Sequence, residues 1–291
     1  NISNDKYVAL KKIPIEIMKD QEKIQGLSNE ILISAGVENE NLVSILDLTD
    51  INEDKYIVYE FCNGGDLRRY LRYFKNFDET LVQYFMKQVL NGLSELHGKK
   101  IIHHDIKPEN ILVELLPENP ESLIIPLQKK EFEGIVEEIL KATDKKKIKN
   151  NSFLMYVEDN NSVTQKDILT TLQRSKIKLS DFGLSKFKED NNQKLLSGSP
   201  LYMDPNLFES DVQVSTIENE KVDIWAVGIL AYELFTGKRP FNSPSQSLKE
   251  LIQKLKQGTY IIDLTKCGKI SKQFLSFLNM CLQRKQKIRP F

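Results

Sequence analysis

The first sixty residues alternate between short apolar runs and polar breaks. Tyr7 to Ile13 is β-rich, Gln25 to Ala35 carries helix-like spacing, and Leu42 to Leu48 and Lys55 to Phe61 are apolar runs separated by polar Thr49 to Asp54. A strand buries every second position and a helix every third or fourth, so the order predicted is strand, helix, strand, strand. That is a small sheet carrying one helix. After Asn63-Gly64-Gly65 the period turns helical: Val82, Phe85, Met86, Val89, Leu93 and Leu96 recur on one face, with Asp78 as the predicted N-cap and Gly98 as the stop. The most apolar stretch, Val222 to Phe235, contains Asp223 and Glu233. It is far shorter than the roughly 20 residues that span a bilayer, so it predicts a buried helix and no transmembrane segment.

From Glu114 to about Ser175 the pattern breaks. Pro117, Pro120 and Pro126 punctuate the start, and Lys145-Lys146-Lys147 and Asn150-Asn151 fill the middle. Phe132, Ile135, Val136, Ile139 and Leu140 form an apolar helical face, Ser152 to Val157 fits a strand, and Gln165 to Arg174 fits another helix. The segment reads as an insertion with some structure of its own. Lengthening a loop from about 4 to about 60 residues costs only about 2.4 kcal/mol, so a fold tolerates it. A solvated loop is one reading; a docking site for a regulatory partner is the other. The lysine run reads as a solvated charge cluster.

Composition narrows the partners. Lys+Arg and Asp+Glu both number 41, so no net field draws nucleic acid or an anionic membrane. Cys62, Cys267 and Cys281 lie far apart without paired spacing, which predicts free thiols in a reducing compartment, hence a cytoplasmic protein. No basic-then-apolar leader opens the chain, and its strand-like start is expected of a piece of a longer protein.

Candidate chemistry lies in two strings: His103-His104-Asp105-Ile106-Lys107-Pro108-Glu109-Asn110, and Asp181-Phe182-Gly183 following the strand-like Lys176-Ile177-Lys178-Leu179-Ser180. Phosphoryl transfer needs nucleotide phosphates neutralised, an acceptor hydroxyl aimed and its proton accepted. Asp105 sits where a carboxylate takes that proton, Lys107 neutralises the transferring group, and Asn110 and Asp181 are the candidate ligands of magnesium, a hard cation suited to oxygen donors. Val8-Ala9-Leu10-Lys11 matches a strand whose lysine pairs with nucleotide phosphates, with Glu30 the natural helical partner of that ammonium.

With these motifs the chain resembles a eukaryotic serine/threonine protein kinase, from the third strand of the small lobe to the end of the large lobe, outside the insertion. The resemblance implies an α+β, bilobal fold: a partial small lobe over residues 1–61, and a mainly helical large lobe over 62–291 interrupted at about 114–175. It implies ATP and Mg2+ as cofactors and serine- or threonine-bearing proteins as substrates. Tyr59, Glu60, Phe61 and Cys62 align with the gatekeeper and hinge that hold adenine, Asp66 with the ribose contact, and Ala9 and Leu112 with the pair sandwiching the purine. Asp223 aligns with the support of the catalytic loop, Arg289 with an arginine near the domain's end, and Ser199 with a bridge between Asp105 and Lys107. Gly198-Ser199-Pro200-Leu201-Tyr202-Met203 and Tyr59 to Leu67 look most like autophagy-initiating kinases. Glu109 and Glu233 align with carboxylates that, in some related kinases, receive basic residues ahead of the target serine.

Several positions depart from the family. The glycine-rich loop belongs before Val8, where only seven residues stand, and the fragment without it is expected to be unstable or inactive. His104 replaces the usual arginine, and Leu195 stands at the activating threonine, with Ser197 nearby. An imidazole is mostly neutral at pH 7 and lacks a bidentate fork, so activation without loop phosphorylation is expected. Asp204-Pro205-Asn206 replaces Ala-Pro-Glu, so the ion pair with Arg289 is either lost or supplied by Asp204. Ser34 is polar where the helix should pack, which leaves the register around Glu30 open by a residue. A non-catalytic pseudokinase scaffold is the alternative reading, and metal ligation by His103 and His104 is a further one.

Overall fold

Residues 7–14, 17, 20–51, 54–116, 164–187, 198–208, 220–240, 250, 253 and 270–290 are described by a computed structural model of the protein. The face from Phe132 to Leu140, the strand at Ser152 to Val157, the lysine run at Lys145, and Leu195, Ser197 and Cys267 lie outside these residues. The chain divides into two compact units, residues 1–114 with 176–291, and residues 115–175. The first unit runs β1 (Val8–Ile13), α1 (Gln21–Gly36), β2 (Ile45–Ile51), β3 (Asp54–Glu60), α2 (Leu67–Phe74), α3 (Glu79–Gly98), β4 (Ile101–Ile102) and β5 (Ile111–Glu114). The second holds α4 (Gln165–Leu172), started by a reciprocal cap between Thr164 and Asp167. The first then resumes with β6 (Lys176–Leu179), β7 (Lys186–Phe187), α5 (Glu220–Thr236) and α6 (Lys272–Cys281). This is the α+β, bilobal arrangement that the resemblance implied.

The small lobe is an antiparallel sheet of order β1-β3-β2. Its hairpin is longer than the polar break at Thr49 predicts, because the ladder continues to Ile51↔Asp54. Side chains there are exposed or partly so, and polar residues sit in such a hairpin without burial. The strand expected from Leu42 begins instead at Ile45. Leu42 and Val43, only 1% and 3% exposed, turn toward the large lobe. There the Val43 amide donates to Leu179 O at 2.8 Å and the Leu179 amide donates to Asn41 O at 2.8 Å. These residues act as a seam rather than a sheet edge. Helix α1 starts a turn earlier than Gln25, with Asp20 accepting from the Lys23 amide at 3.3 Å.

In the large lobe Asp78 caps α3 as expected, accepting from the Leu81 amide at 2.9 Å. Helix α5 is buried on all sides from Lys221 to Phe235, as its largely apolar sequence requires, with Lys221, Asp223 and Glu233 buried among the apolar residues. It packs against α3 and α6. Trp225, Tyr70 and Phe85 are the large side chains at this core's centre.

Arg289 is 2% exposed and lies over the Trp225 ring at 5.0 Å. Its counter-ion is Asp204, which takes both terminal nitrogens of the guanidinium. Of the two alternatives at this position, Asp204 supplies the charge. Asn206 donates to Asp204 Oδ1 at 2.6 Å and to Arg284 O at 2.9 Å, so its amide braces the carboxylate instead of replacing it. Arg289 Nε donates to Gln283 O at 2.6 Å, so the buried cation is satisfied on more than one side. Removing one member of a buried pair strands the other charge. Asp204→Ala is therefore expected to lower unfolding free energy by about 3 to 5 kcal/mol in urea denaturation, and Asn206→Ala by about 1 kcal/mol.

Candidate active site

The register of the small sheet positions the first cluster. Pairing of Ala9 with Tyr59 and of Lys11 with Ile57 places Ala9, Lys11 and Tyr59 on one face, since directly opposed residues share a side. Glu30 of α1 receives both polar tips: Lys11 Nζ at 2.6 Å and the Tyr59 hydroxyl at 2.5 Å. The register of α1 is thereby settled at Glu30. Ser34, one turn on, is 3% exposed, and its hydroxyl has no hydrogen-bond partner. Burial, then the Glu30 contact, drives the Tyr59 phenol well above its usual pKa, so it donates at every physiological pH. Lys11 Nζ also lies 3.6 Å from Asp181.

Asp181 adopts the left-handed conformation with φ 64°, and Phe182–Leu184 forms a single turn against α1. Contact is close enough that a side chain at Gly26 would meet Gly183 O at 2.9 Å. Phe182 is 1% exposed and stands 5.4 Å from the His103 ring. Asn29 donates to Ser185 O at 3.3 Å, tying the same helix to the far side of this turn.

The second cluster is the loop after β4. Asp223, 1% exposed on α5, accepts from the His103 amide at 2.8 Å, the His104 amide at 2.9 Å and His97 Nε2 at 2.9 Å. Burial pushes this carboxyl upward, but the His97 bond, with charge from the neighbouring histidine rings, outweighs it and holds it below the usual range. His103 Nδ1 accepts from the Asp105 amide at 3.3 Å, and Nε2 faces Ser180 O at 3.2 Å. One ring nitrogen must accept and the other donate, which defines a neutral tautomer. Both are engaged, and among the described residues no group of three or more His, Cys, Asp or Glu side chains could hold a metal ion.

Asp105 is 4% exposed and fully engaged. Oδ1 accepts from the Ser199 amide at 3.0 Å and hydroxyl at 2.9 Å; Oδ2 accepts from Lys107 Nζ at 2.6 Å and Asn110 Nδ2 at 2.9 Å. Lys107 Nζ reaches Ser199 Oγ at 3.0 Å. Burial raises the Asp105 pKa, but the Lys107, Ser199 and Asn110 contacts outweigh it, so the carboxylate is ionised. Gly198 permits the approach of Ser199. It has φ 112°, and a Cβ there would collide with His104 O.

Asn110 spends its amide nitrogen on Asp105 and its backbone carbonyl on the Ser180 amide at 2.9 Å, leaving its side-chain oxygen for a cation. Asn110 and the half-exposed Asp181 carboxylate offer few protein ligands. That fits magnesium, which takes its remaining ligands from water and phosphates.

The predicted adenine and ribose residues form a third group. Gly64 N donates to Val113 O at 2.8 Å and Val113 N to Gly65 O at 2.7 Å, docking the segment after β3 onto β5, where Leu112 bridges Asp66. Two side chains in this group carry structural bonds that the motif did not predict. Glu60 accepts from Lys178 Nζ at 2.7 Å and the Ser44 amide at 2.7 Å. Asp66 caps α2 through the Arg69 amide at 3.0 Å. Cys62 is buried, and burial, then Glu60, pushes its thiol up to about 12.

Sequence reasoning missed the Tyr59 bond to Glu30, although counting strand register from Lys11 would have found it. It also missed Arg68. This α2 residue bonds Glu109 at 2.7 Å, Glu233 at 2.8 Å and the Tyr202 hydroxyl at 2.7 Å.

The protein kinase domain profile matches residues 1–123 and 163–291, and the chain belongs to the protein kinase family. It is 28% identical over 255 residues to human serine/threonine-protein kinase ULK1, covering 87% of this chain and 19% of that protein. It is 29% identical over 263 residues to serine/threonine-protein kinase unc-51 of Caenorhabditis elegans, covering 87% and 24%. Serine/threonine-protein kinase atg1 of Aspergillus oryzae is 27% identical over 300 residues, covering 96% and 28%. The chain thus spans about a fifth to a quarter of the first two relatives' length. These relatives set the domain among serine/threonine kinases, a family that uses ATP and a divalent metal. No described helix is long and apolar enough to cross a membrane.

His104 has a measurable consequence. It sits at φ 65°, its Nδ1 is buried without a partner, and burial, with Lys186 and His103 adding to it, pulls its pKa from 6.5 to about 4. Between these values the unfolded chain binds the proton and the folded protein does not, so stability falls as pH drops through that window. Asparagine tolerates positive φ and does not titrate. In denaturation at pH 7.5 and 4.5, the wild type is expected to lose more stability than His104→Asn.

Proposed function

We propose that this kinase domain transfers the γ-phosphoryl group of ATP to serine and threonine hydroxyls of protein substrates. One observation carries the reading: an ionised Asp105 held by Lys107, Asn110 and Ser199, together with a Lys11 paired to Glu30 whose Nζ lies 3.6 Å from Asp181. Magnesium, when bound, would supply positive charge that neutralises the phosphates. Asn110 and Asp181 would hold it, and Lys11, oriented by Glu30, would draw the nucleotide phosphates into line. Asp105 orients the acceptor hydroxyl and takes its proton. Lys107 meets the charge that develops on the transferring group. Ala9 and Leu112 would flank the purine, with Glu60 and Cys62 contributing backbone groups and Asp66 its carboxylate toward the ribose.

A scaffold that had lost catalysis would have no need to keep this many ionised groups within hydrogen-bond reach of one another. With full-length protein, Asp105→Asn is expected to lower kcat about 10²- to 10⁴-fold while nucleotide binding persists. Equal phosphate transfer by the variant and wild type in a radiolabel assay would reject the assignment.

Control of the domain is proposed to be independent of loop phosphorylation. His104, neutral and half-buried, offers no cation to a loop phosphate. Phosphatase-treated enzyme is expected to keep its activity; loss of activity traced to Ser197 would defeat this reading. The 114–175 insertion is proposed as a solvated loop, with docking of a regulatory partner the second reading; unchanged partner binding and activity after deleting residues 116–174 is expected, and loss of either would favour docking. Buried thiols at Cys62 and Cys281, each pushed up to about 12 chiefly by burial, suit a reducing, cytoplasmic setting.

A further inference from the structure

Two carboxylates beside the acceptor site are already occupied by the protein's own arginine. Glu109 stands two residues beyond Lys107, and Tyr202 three beyond Ser199, so both belong to segments that hold Asp105. With Glu233 of α5 they make a cup of two carboxylates and a phenol, which is the complement of a guanidinium. Arg68 of α2 fills it. Its Nε meets Glu109 Oε1 at 2.7 Å, one terminal nitrogen meets Glu233 Oε1 at 2.8 Å, and the other meets the Tyr202 hydroxyl at 2.7 Å. That third nitrogen also reaches Glu233 Oε2 at 3.3 Å and Glu109 Oε2 at 3.4 Å. The Tyr202 hydroxyl donates to Glu233 Oε2, and Arg239 Nε lies 3.6 Å from Glu233.

The arginine is well seated. The side chains of Arg68 and Glu233 are 14% and 4% exposed, whereas Glu109 is 44% exposed and faces solvent. Beside it lies a cavity of about 370 Å³ lined by Arg68, Leu71, Arg72, Lys75 and Lys238 among others. The surface next to the cup is therefore cationic.

We propose that Arg68 is a specificity-determining residue that satisfies Glu109 and Glu233 internally, so that the enzyme gains nothing from arginine or lysine upstream of the target serine. This rests on the kinase reading above. It also reverses the expectation drawn from Glu109 and Glu233 alone. An incoming arginine would have to displace a bidentate, partly buried cation and enter a positive surface.

The test uses full-length wild type, Arg68→Ala and Glu109→Gln. Each is given serine peptides in an alanine background, with arginine placed at each upstream position in turn. Wild type is expected to phosphorylate the arginine peptides no faster than the alanine parent. Arg68→Ala, with the cup vacated, is expected to prefer one arginine position about tenfold, as a hydrogen-bonded charge pair supports. Wild-type selection for arginine overturns the proposal, as does a folded Arg68→Ala without selection. Thermal melting reports whether that variant folds. If it does not, Glu109→Gln decides: an unchanged ratio agrees with the proposal, and a fall in arginine preference contradicts it. Fluorescence polarisation with the same peptides reads the preference without turnover. Absence of phosphate transfer to any peptide thus counts against the kinase reading, while the binding ratio still judges Arg68.

Discussion

The buried carboxylate of Asp223 is the constraint on which the rest of the active region depends. It is held inside α5 at 1% exposure and accepts three N–H groups, two of them consecutive amides of the loop at His103 and His104. A carboxylate so buried is stable only when its oxygens are satisfied, and two successive amides aimed at one group determine the loop backbone between them. His104 takes a positive φ as a result, and Asp105 emerges pointing at Ser199, Lys107 and Asn110. The apolar helix α5 therefore carries this loop-holding anion where burial makes it strongest.

Glu30 is the corresponding junction in the small lobe. It joins the sheet, through Lys11 and Tyr59, to a helix whose Gly26 and Asn29 touch the turn carrying Asp181. A shift of α1 would separate Lys11 from Glu30 and disturb Asp181 in one motion. The seam from Asn41 to Val43, bonded to Leu179, ties that lobe to β6, which leads directly into Asp181. Chemistry that depends on charges from both lobes is thus supported by backbone bonds as well as by ion pairs.

Much of this was legible in the chain. Helical spacing identified α3 and its Asp78 cap, because burial of one face imposes that period directly, while β-rich and apolar runs bounded by polar breaks identified β1 and β3. Contiguous motifs pointed to Asp105, Lys107, Asn110 and Asp181 as candidates, since phosphoryl transfer needs such groups on short, rigid loops. Boundaries were less legible where polar residues remain in structure. The hairpin through Thr49 and Asp50 pairs its backbone although its side chains face solvent, so hydropathy alone cut it short.

The amino-acid sequence by itself determined the family, the order of the elements and which charged groups are candidates for the chemistry, because each depends on local spacing. Only the tertiary structure decided how distant charges are shared. Asp204 instead of Asn206 holds Arg289, Tyr59 joins Lys11 on Glu30, and Arg68 takes the two carboxylates that a motif alone would offer to a substrate. These pairs lie 85, 29, 41 and 165 residues apart. A carboxylate looks the same in sequence whether it is vacant or filled. Its availability depends on which cation packing brings within about 3 Å of it, and desolvation makes that choice decisive.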